Sequence, residues 1–189
     1  MMRLKEKYQK EIVPVMMKEH GYKNVMAVPK LVKVVVNSCF GKEVATKTGA
    51  ERDKVAQTVM TDMAQIVGQK PRLVKSKKSI AGFKLRSGID IACATTLRKD
   101  RMYDFIERLI NITLPRSRDF QGLNSKGIDK KGSLTVGFKE NIYFPEITTE
   151  KEKTIFGLQV TIVTTAKSHE EGLLLFKLLG FPIKKEKNR

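Results

Sequence analysis

Apolar residues recur at Leu4, Tyr8, Ile12 and Val15 or Met16, the spacing of one helical face, and Gly21 stands where a C-terminal cap belongs. Pro14 sits inside that pattern, and an interior proline forfeits a hydrogen bond and crowds the preceding turn, so a bent or restarted helix is expected between Arg3 and His20. The period then changes. LVKVVVNS, residues 31–38, is β-branched and alternates, with Val34 and Val36 on one face and Lys33, Val35 and Asn37 on the other. Thr48 and Glu51 make a capping-box pattern ahead of Val55, Val59, Met63, Ile66 and Val67, and Gly68 closes a helix of roughly five turns. IDIACATTLR, residues 89–98, sets Ile89, Ile91, Cys93, Thr95 and Leu97 against Asp90, Ala92, Ala94, Thr96 and Arg98, the pattern of a strand covered on one face.

Asp100 reads as the N-cap of a helix whose inner stripe is Met102, Phe105, Ile106, Leu109 and Ile110, stopped before Pro115. Residues 116–133 carry dense turn chemistry without periodicity and are expected to form a long loop or loops. Two further strands are expected at Leu134 to Lys139 and Leu158 to Thr165. Ser168 with Glu171 is a second capping box, before Leu173, Leu174, Phe176, Lys177 and Leu178, with Gly180 at the close.

Strands and helices alternate irregularly, and several connections are too short for crossovers. An α+β two-layer sandwich is therefore expected, a mostly antiparallel sheet with helices on one face and the other face open. Lys33, Asn37, Thr96 and Arg98 would point from that open face. With no internal repeat and no dividing linker, residues 1–189 are read as a single domain, with a basic loop near 73–86 and a long loop near 115–133.

Charge is what changes the picture from fold to function. The chain holds 37 Lys and Arg against 20 Asp and Glu, a formal net charge of +17, which points to a polyanionic partner. Much of it is local: from Met63 to Ile89 run Lys70, Arg72, Lys75, Lys77, Lys78, Lys84 and Arg86 with no acid among them. No apolar run has the roughly 20 residues of a spanning helix, and no membrane role is read. The start, MMRLKEKYQKEIVPVMMKEH, lacks a signal peptide's apolar core and reads as a mature cytosolic N-terminus.

Catalytic chemistry does not assemble. His20 and His169 lack partners at ligand spacing and read as solvated surface residues. Cys39 and Cys93 both read as core thiols, and no metal site or cofactor is expected. Gly127 to Gly132 imitates a phosphate-binding loop, but Ser133 occupies the place of its lysine and a strand follows. Asn111-Ile112-Thr113 matches a glycosylation site by letters alone, and the mixed-charge TTEKEKT, residues 148–154, reads as a solvated turn. Among binding modes, the absence of Trp and 7% aromatic content argue against base stacking on the sheet. No helix-turn-helix or zinc spacing suggests a DNA reader. Polar groups on a sheet face and in loops suit structured RNA.

GQKPRLVKSKKSIAGFKLRSGIDIACATTLR, residues 68–98, followed by RMYDFIERLI, LPRSRDFQGL, FPEI and TTAKSHEEGLLLFKLLGFP, resembles the bacterial-type large-subunit ribosomal proteins of the L-five family across nearly the whole chain. The resemblance implies a two-layer α+β protein that binds 5S rRNA. With 23S rRNA and neighbouring central-protuberance proteins, it would help to attach that RNA to the central protuberance. The family's 5S contacts fall on Asn37, Gln69 and Thr96; Lys33 and Arg98 are added from strand alternation. The loop matching Lys75 to Lys84, including Ser76, Lys77, Lys78 and Ser79, would reach the P-site tRNA. A surface placed after Pro115 would meet a small-subunit head protein across an intersubunit bridge. The chain departs from the usual pattern at Ser38-Cys39-Phe40 and at Ala94, where a lysine is frequent. The competing reading is a free-standing RNA-modifying enzyme or nucleic-acid chaperone, for which the cofactor loop or acid–base pair is missing.

Overall fold

In the computed structural model, which describes residues 3–118, 120–147 and 155–184, the expected strands come together in one five-stranded antiparallel sheet. They are β1 (Leu31–Cys39), β2 (Arg72–Lys75), β3 (Asp90–Leu97), β4 (Leu134–Phe138) and β5 (Leu158–Thr164), in the order β2-β3-β1-β5-β4. β2 was not legible as a strand. Its four residues gain that conformation by pairing with β3, Arg72 opposite Ala94, Leu73 opposite Cys93 and Val74 opposite Ala92, with a register shift before Lys75. Burial alternates along β1, β4 and β5, so each strand presents a covered and an open side, as a half-covered antiparallel sheet requires. The fold class is α+β, as expected.

The chain divides into two compact units, the first formed by Met1–Val34, Leu97–Val136 and Thr161–Arg189. Its core holds Ile12, Met16, Leu97, Met102, Phe105, Ile106 and Phe176. The N-terminal helix runs as α1 (Leu4–Lys7), a π-turn (Tyr8–Ile12) and α2 (Val13–His20). Met16 rather than Val15 is the buried residue of the open pair. Pro14 does not break the helix because the preceding turn is widened, with the Val13 N–H bonding to the Tyr8 carbonyl.

The same device recurs at the second proline. α5 (Lys99–Arg108) passes through a π-turn (Leu109–Thr113) into α6 (Leu114–Arg116), so the helix does not stop before Pro115 as expected. Nor is Asp100 the N-cap. That position belongs to Arg98, and Asp100 instead receives Lys5 Nζ at 2.6 Å, a bond and charge that hold its carboxyl below the usual range.

α7 (His169–Leu179) begins as its capping box predicts: the Glu171 N–H donates to Ser168 Oγ at 3.3 Å, and Glu171 Oε2 accepts from the Lys167 N–H at 2.8 Å. Its buried stripe is Gly172, Leu175, Phe176 and Leu179, rotated from the expected Leu173, Leu174 and Leu178. The rotation follows from a close helix–loop contact. A Cβ on Gly172 would lie 2.4 Å from the Cα of Gly132, a residue with φ +69° in the turn before β4.

The second unit comprises Val35–Thr96 and Gly137–Val160. α4 (Gly49–Val67) buries Val55, Val59, Met63, Ile66 and Val67 as predicted and ends at Gly68 in the left-handed region. The Thr48 side chain makes no cap bond, and only its carbonyl takes the Glu51 N–H, at 3.1 Å. α4 meets β3 where Cys93 Sγ lies 3.1 Å from Met63 Sδ. A short helix the periodicity did not announce, α3 (Gly41–Ala45), follows β1, anchored by buried Phe40, whose N–H bonds to the Ile91 carbonyl at 3.0 Å. Residues 148–154, read as a solvated turn, lie outside the described residues.

Candidate nucleic-acid interface

The acid-free run folds into an ordered hairpin rather than a pliable loop. After β2 the chain crosses Ser76, pairs Ile80 with Leu85 around a 3-10 turn at Ala81–Phe83, and returns through Gly88 to β3. Ser76 ties its base. The Ser76 N–H bonds to the Ile89 carbonyl at 2.8 Å, and its own carbonyl takes the Gly88 N–H at 3.0 Å. Its hydroxyl donates to the Arg86 carbonyl at 2.6 Å and accepts the Ile89 N–H at 3.2 Å. Further out, Ser79 Oγ accepts the Ser87 N–H at 2.9 Å, and Ser87 Oγ donates to the Lys77 carbonyl at 3.3 Å.

Burial of Ser76 assigns it to the scaffold of the arm, not to its contact surface. Lys75, Lys77, Lys78, Lys84 and Arg86 are exposed, and the Ser79 side chain is exposed while serving the turn. At the tip Lys84 takes φ 51°, a left-handed conformation uncommon for a residue with a Cβ, and Phe83 is 72% exposed beside it. The small residues therefore close hydrogen bonds that hold the cations outward.

On the open side of the sheet, Asn37 of β1 and Thr96 of β3 are half-exposed within the second unit, and Gln69 is exposed just past the end of α4. Lys33, half-exposed on β1, and Arg98, exposed after β3, belong to the first unit. Two polar residues escaped the reading of the sequence. Asn37 Nδ2 donates to Gln159 Oε1 at 3.3 Å, so the amides form a cross-strand pair. The signal for Gln159 was the alternation of β5. The second is Arg72, directly across from Ala94, and opposed residues of an antiparallel pair share a face. An exposed guanidinium thus stands beside the position where the family often has lysine. Only the pairing of β2 could reveal it.

The Ser38-Cys39-Phe40 departure has a structural account. Ser38 Oγ donates to the Gly157 carbonyl at 2.8 Å and Phe40 is buried, whereas Cys39 is exposed, contrary to the expectation of a core thiol. Strand alternation decides it: Val34, Val36 and Ser38 face in, so Cys39 faces out. Cys93 is buried, and burial pushes its thiol up to about 11.

In the first unit, the long loop is stitched down. The Leu123 N–H bonds to the Pro182 carbonyl at 2.7 Å, and the Lys184 N–H bonds to the Leu123 carbonyl at 2.8 Å. The Gly127 to Gly132 segment is a turn, with Asp129 Oδ1 accepting the Lys131 and Ser133 N–H groups at 2.9 and 2.7 Å before β4 begins. Its phosphate-loop spacing is coincidental. Among the described residues no group of His, Cys, Asp and Glu could hold a metal, and no helix is long and apolar enough to cross a membrane.

An α+β scaffold with a polar open sheet face and a rigid, acid-free cationic arm defines a polyanion-binding protein, built to carry charge outward rather than to enclose a reaction. Comparison with known proteins narrows the class. Residues 24–86 match the family model for ribosomal protein L5, and residues 90–183 match the ribosomal L5 family C-terminus. The large ribosomal subunit protein uL5 of Geotalea uraniireducens is 52% identical over 184 residues, covering 97% of this chain and 99% of the relative. That of Geotalea daltonii is 50% identical with the same coverage, and that of Heliobacterium modesticaldum 47% identical over 186 residues, with 98% and 100% covered. The chain belongs to the L5 family of large-subunit ribosomal proteins. It is a structural component of the ribosome, assembled with ribosomal RNA, and not a free-standing enzyme.

Proposed function

We propose that the chain holds 5S rRNA through Asn37, Gln69 and Thr96, joined by Lys33 and Arg98, and with 23S rRNA secures it in the central protuberance beside neighbouring proteins. The arm from Lys75 to Lys84 extends to the P-site tRNA, and the stitched loop after Pro115 meets a small-subunit head protein. The observation that carries this reading is the division of chemistry. Uncharged hydrogen-bonding groups occupy the open sheet face, suited to RNA shape and 2′-hydroxyls, while unpaired cations project on a braced hairpin suited to phosphate backbone.

Gel filtration of the purified protein with 5S rRNA at moderate salt, against an unrelated RNA of equal length, tests the first part: selective co-elution is expected, and equal retention of both would sink it. In assembled ribosomes, replacing Lys75, Lys77 and Lys78 with Ala should weaken the tRNA crosslink while 5S binding stays nearly intact. Loss of both would mean that the arm serves 5S rRNA instead.

A further inference from the structure

Beneath the tip of the arm lies an apolar pocket of about 530 Å³, formed within the second unit by Cys39, Lys42, Ala45, Phe83, Lys84 and Ile91 with their neighbours. That volume is in the range of small-molecule sites. Three features set it apart from a packing gap. Its walls are mostly aliphatic and aromatic, Lys42 and Lys84 stand in its lining, and no carboxylate lines it. The exposed Phe83 ring offers a flat apolar surface in the same lining. An apolar well with cations and no acid complements a nucleotide, whose base is apolar on its faces and whose phosphates are anionic.

We infer that this pocket receives a single unpaired RNA base, stacked against Phe83, with Lys42 and Lys84 meeting the flanking phosphates. The inference rests on the reading of the arm as an RNA-contacting element and adds a base-specific site to it. An acidic peptide bearing one apolar side chain is the competing occupant. Membership of a family assembled with ribosomal RNA favours the nucleotide.

The test uses the full chain and an RNA hairpin carrying one bulged 4-thiouridine, against the same hairpin with that base paired. The bulged RNA should bind about tenfold more tightly, the scale of one base stacked on an aromatic ring. On irradiation it should crosslink to peptides containing Phe83 or Cys39. Ala45→Leu, which fills the pocket from a helical wall, should erase that preference and leave the paired hairpin unaffected. Phe83→Ala, at an exposed position, should do the same and guards against a misfolded Ala45→Leu.

Equal affinity for both hairpins, or a preference untouched by both variants, overturns the inference, as does an acidic peptide crosslinking in the pocket where the bulged base does not. Replacing Lys75, Lys77 and Lys78 with Ala separates the two failures. If that change weakens both hairpins while the pocket variants do nothing, only the base site falls. If it weakens neither, the arm reading falls with it.

Discussion

Ser76→Ala removes one oxygen from the base of the arm. The side chain is 6% exposed, and its hydroxyl serves the Arg86 carbonyl at 2.6 Å and the Ile89 N–H at 3.2 Å. Leaving a buried partner unsatisfied costs about 1–3 kcal/mol. Arg86 is exposed and Ile89 half-exposed, so water replaces part of the loss, which places the cost at about 1–2 kcal/mol. That is about a 5–30-fold rise in the equilibrium for opening the hairpin. Amide hydrogen exchange reads it. The Gly88 and Ser76 N–H groups are the reporters, since both keep their backbone acceptors in the variant. Both should exchange about 5–30-fold faster, while amides in α4 such as those of Met63 and Ile66 hold their protection. Unchanged exchange at Gly88 and Ser76 would refute the clasp. Equal acceleration throughout α4 would show that Ser76 supports the unit as a whole rather than the arm.

Other expectations follow from the packing. Gly172→Ala should lower Tm, because the new methyl lies 2.4 Å from Gly132 Cα and overpacking costs about 1–3 kcal/mol. A rise in Tm, as helix propensity alone would give, would mean that α7 shifts freely. Under native conditions iodoacetamide should label Cys39 and spare Cys93 until denaturation, checked by peptide mass spectrometry. Between about pH 9 and 11 an unfolded Cys93 thiol is ionised while the folded one keeps its proton. The folded state then binds more protons, so stability should fall as pH rises through that window. Cys93→Ala should remove that part of the decline, and an identical pH dependence in urea titrations would contradict the burial argument. Tyr8, pushed up to about 12 by burial, adds a similar decline above about pH 10.

Much of this was legible in one dimension. β1, β3, β4 and β5 were visible because one buried face imposes a period of two, and α4 because a covered helix imposes 3.6. The candidate interface was legible in part: the alternation that buries Val34 and Val36 turns Asn37 out, and Thr96 follows from the same rule on β3. β2 was missed because four residues are too few to show a period. With it went Arg72, whose face depends on being opposite Ala94. Cys39 was misread because an apolar neighbourhood in sequence says nothing about which side of the strand a residue takes.

By itself, then, the sequence determined the element types, the excess of positive charge and its concentration in an acid-free segment, because these follow from local period and composition. Only the tertiary structure decided what that segment is. Pairing with β3 makes its start a strand, and the contacts of Ser76 with Arg86, Gly88 and Ile89 turn flexible-looking serines into a brace. The widened turns that carry two helices through Pro14 and Pro115, and the glycine contact that rotates α7, belong to the same level. Each depends on hydrogen bonds or contact distances set by the folded backbone, which residue spacing along the chain does not encode.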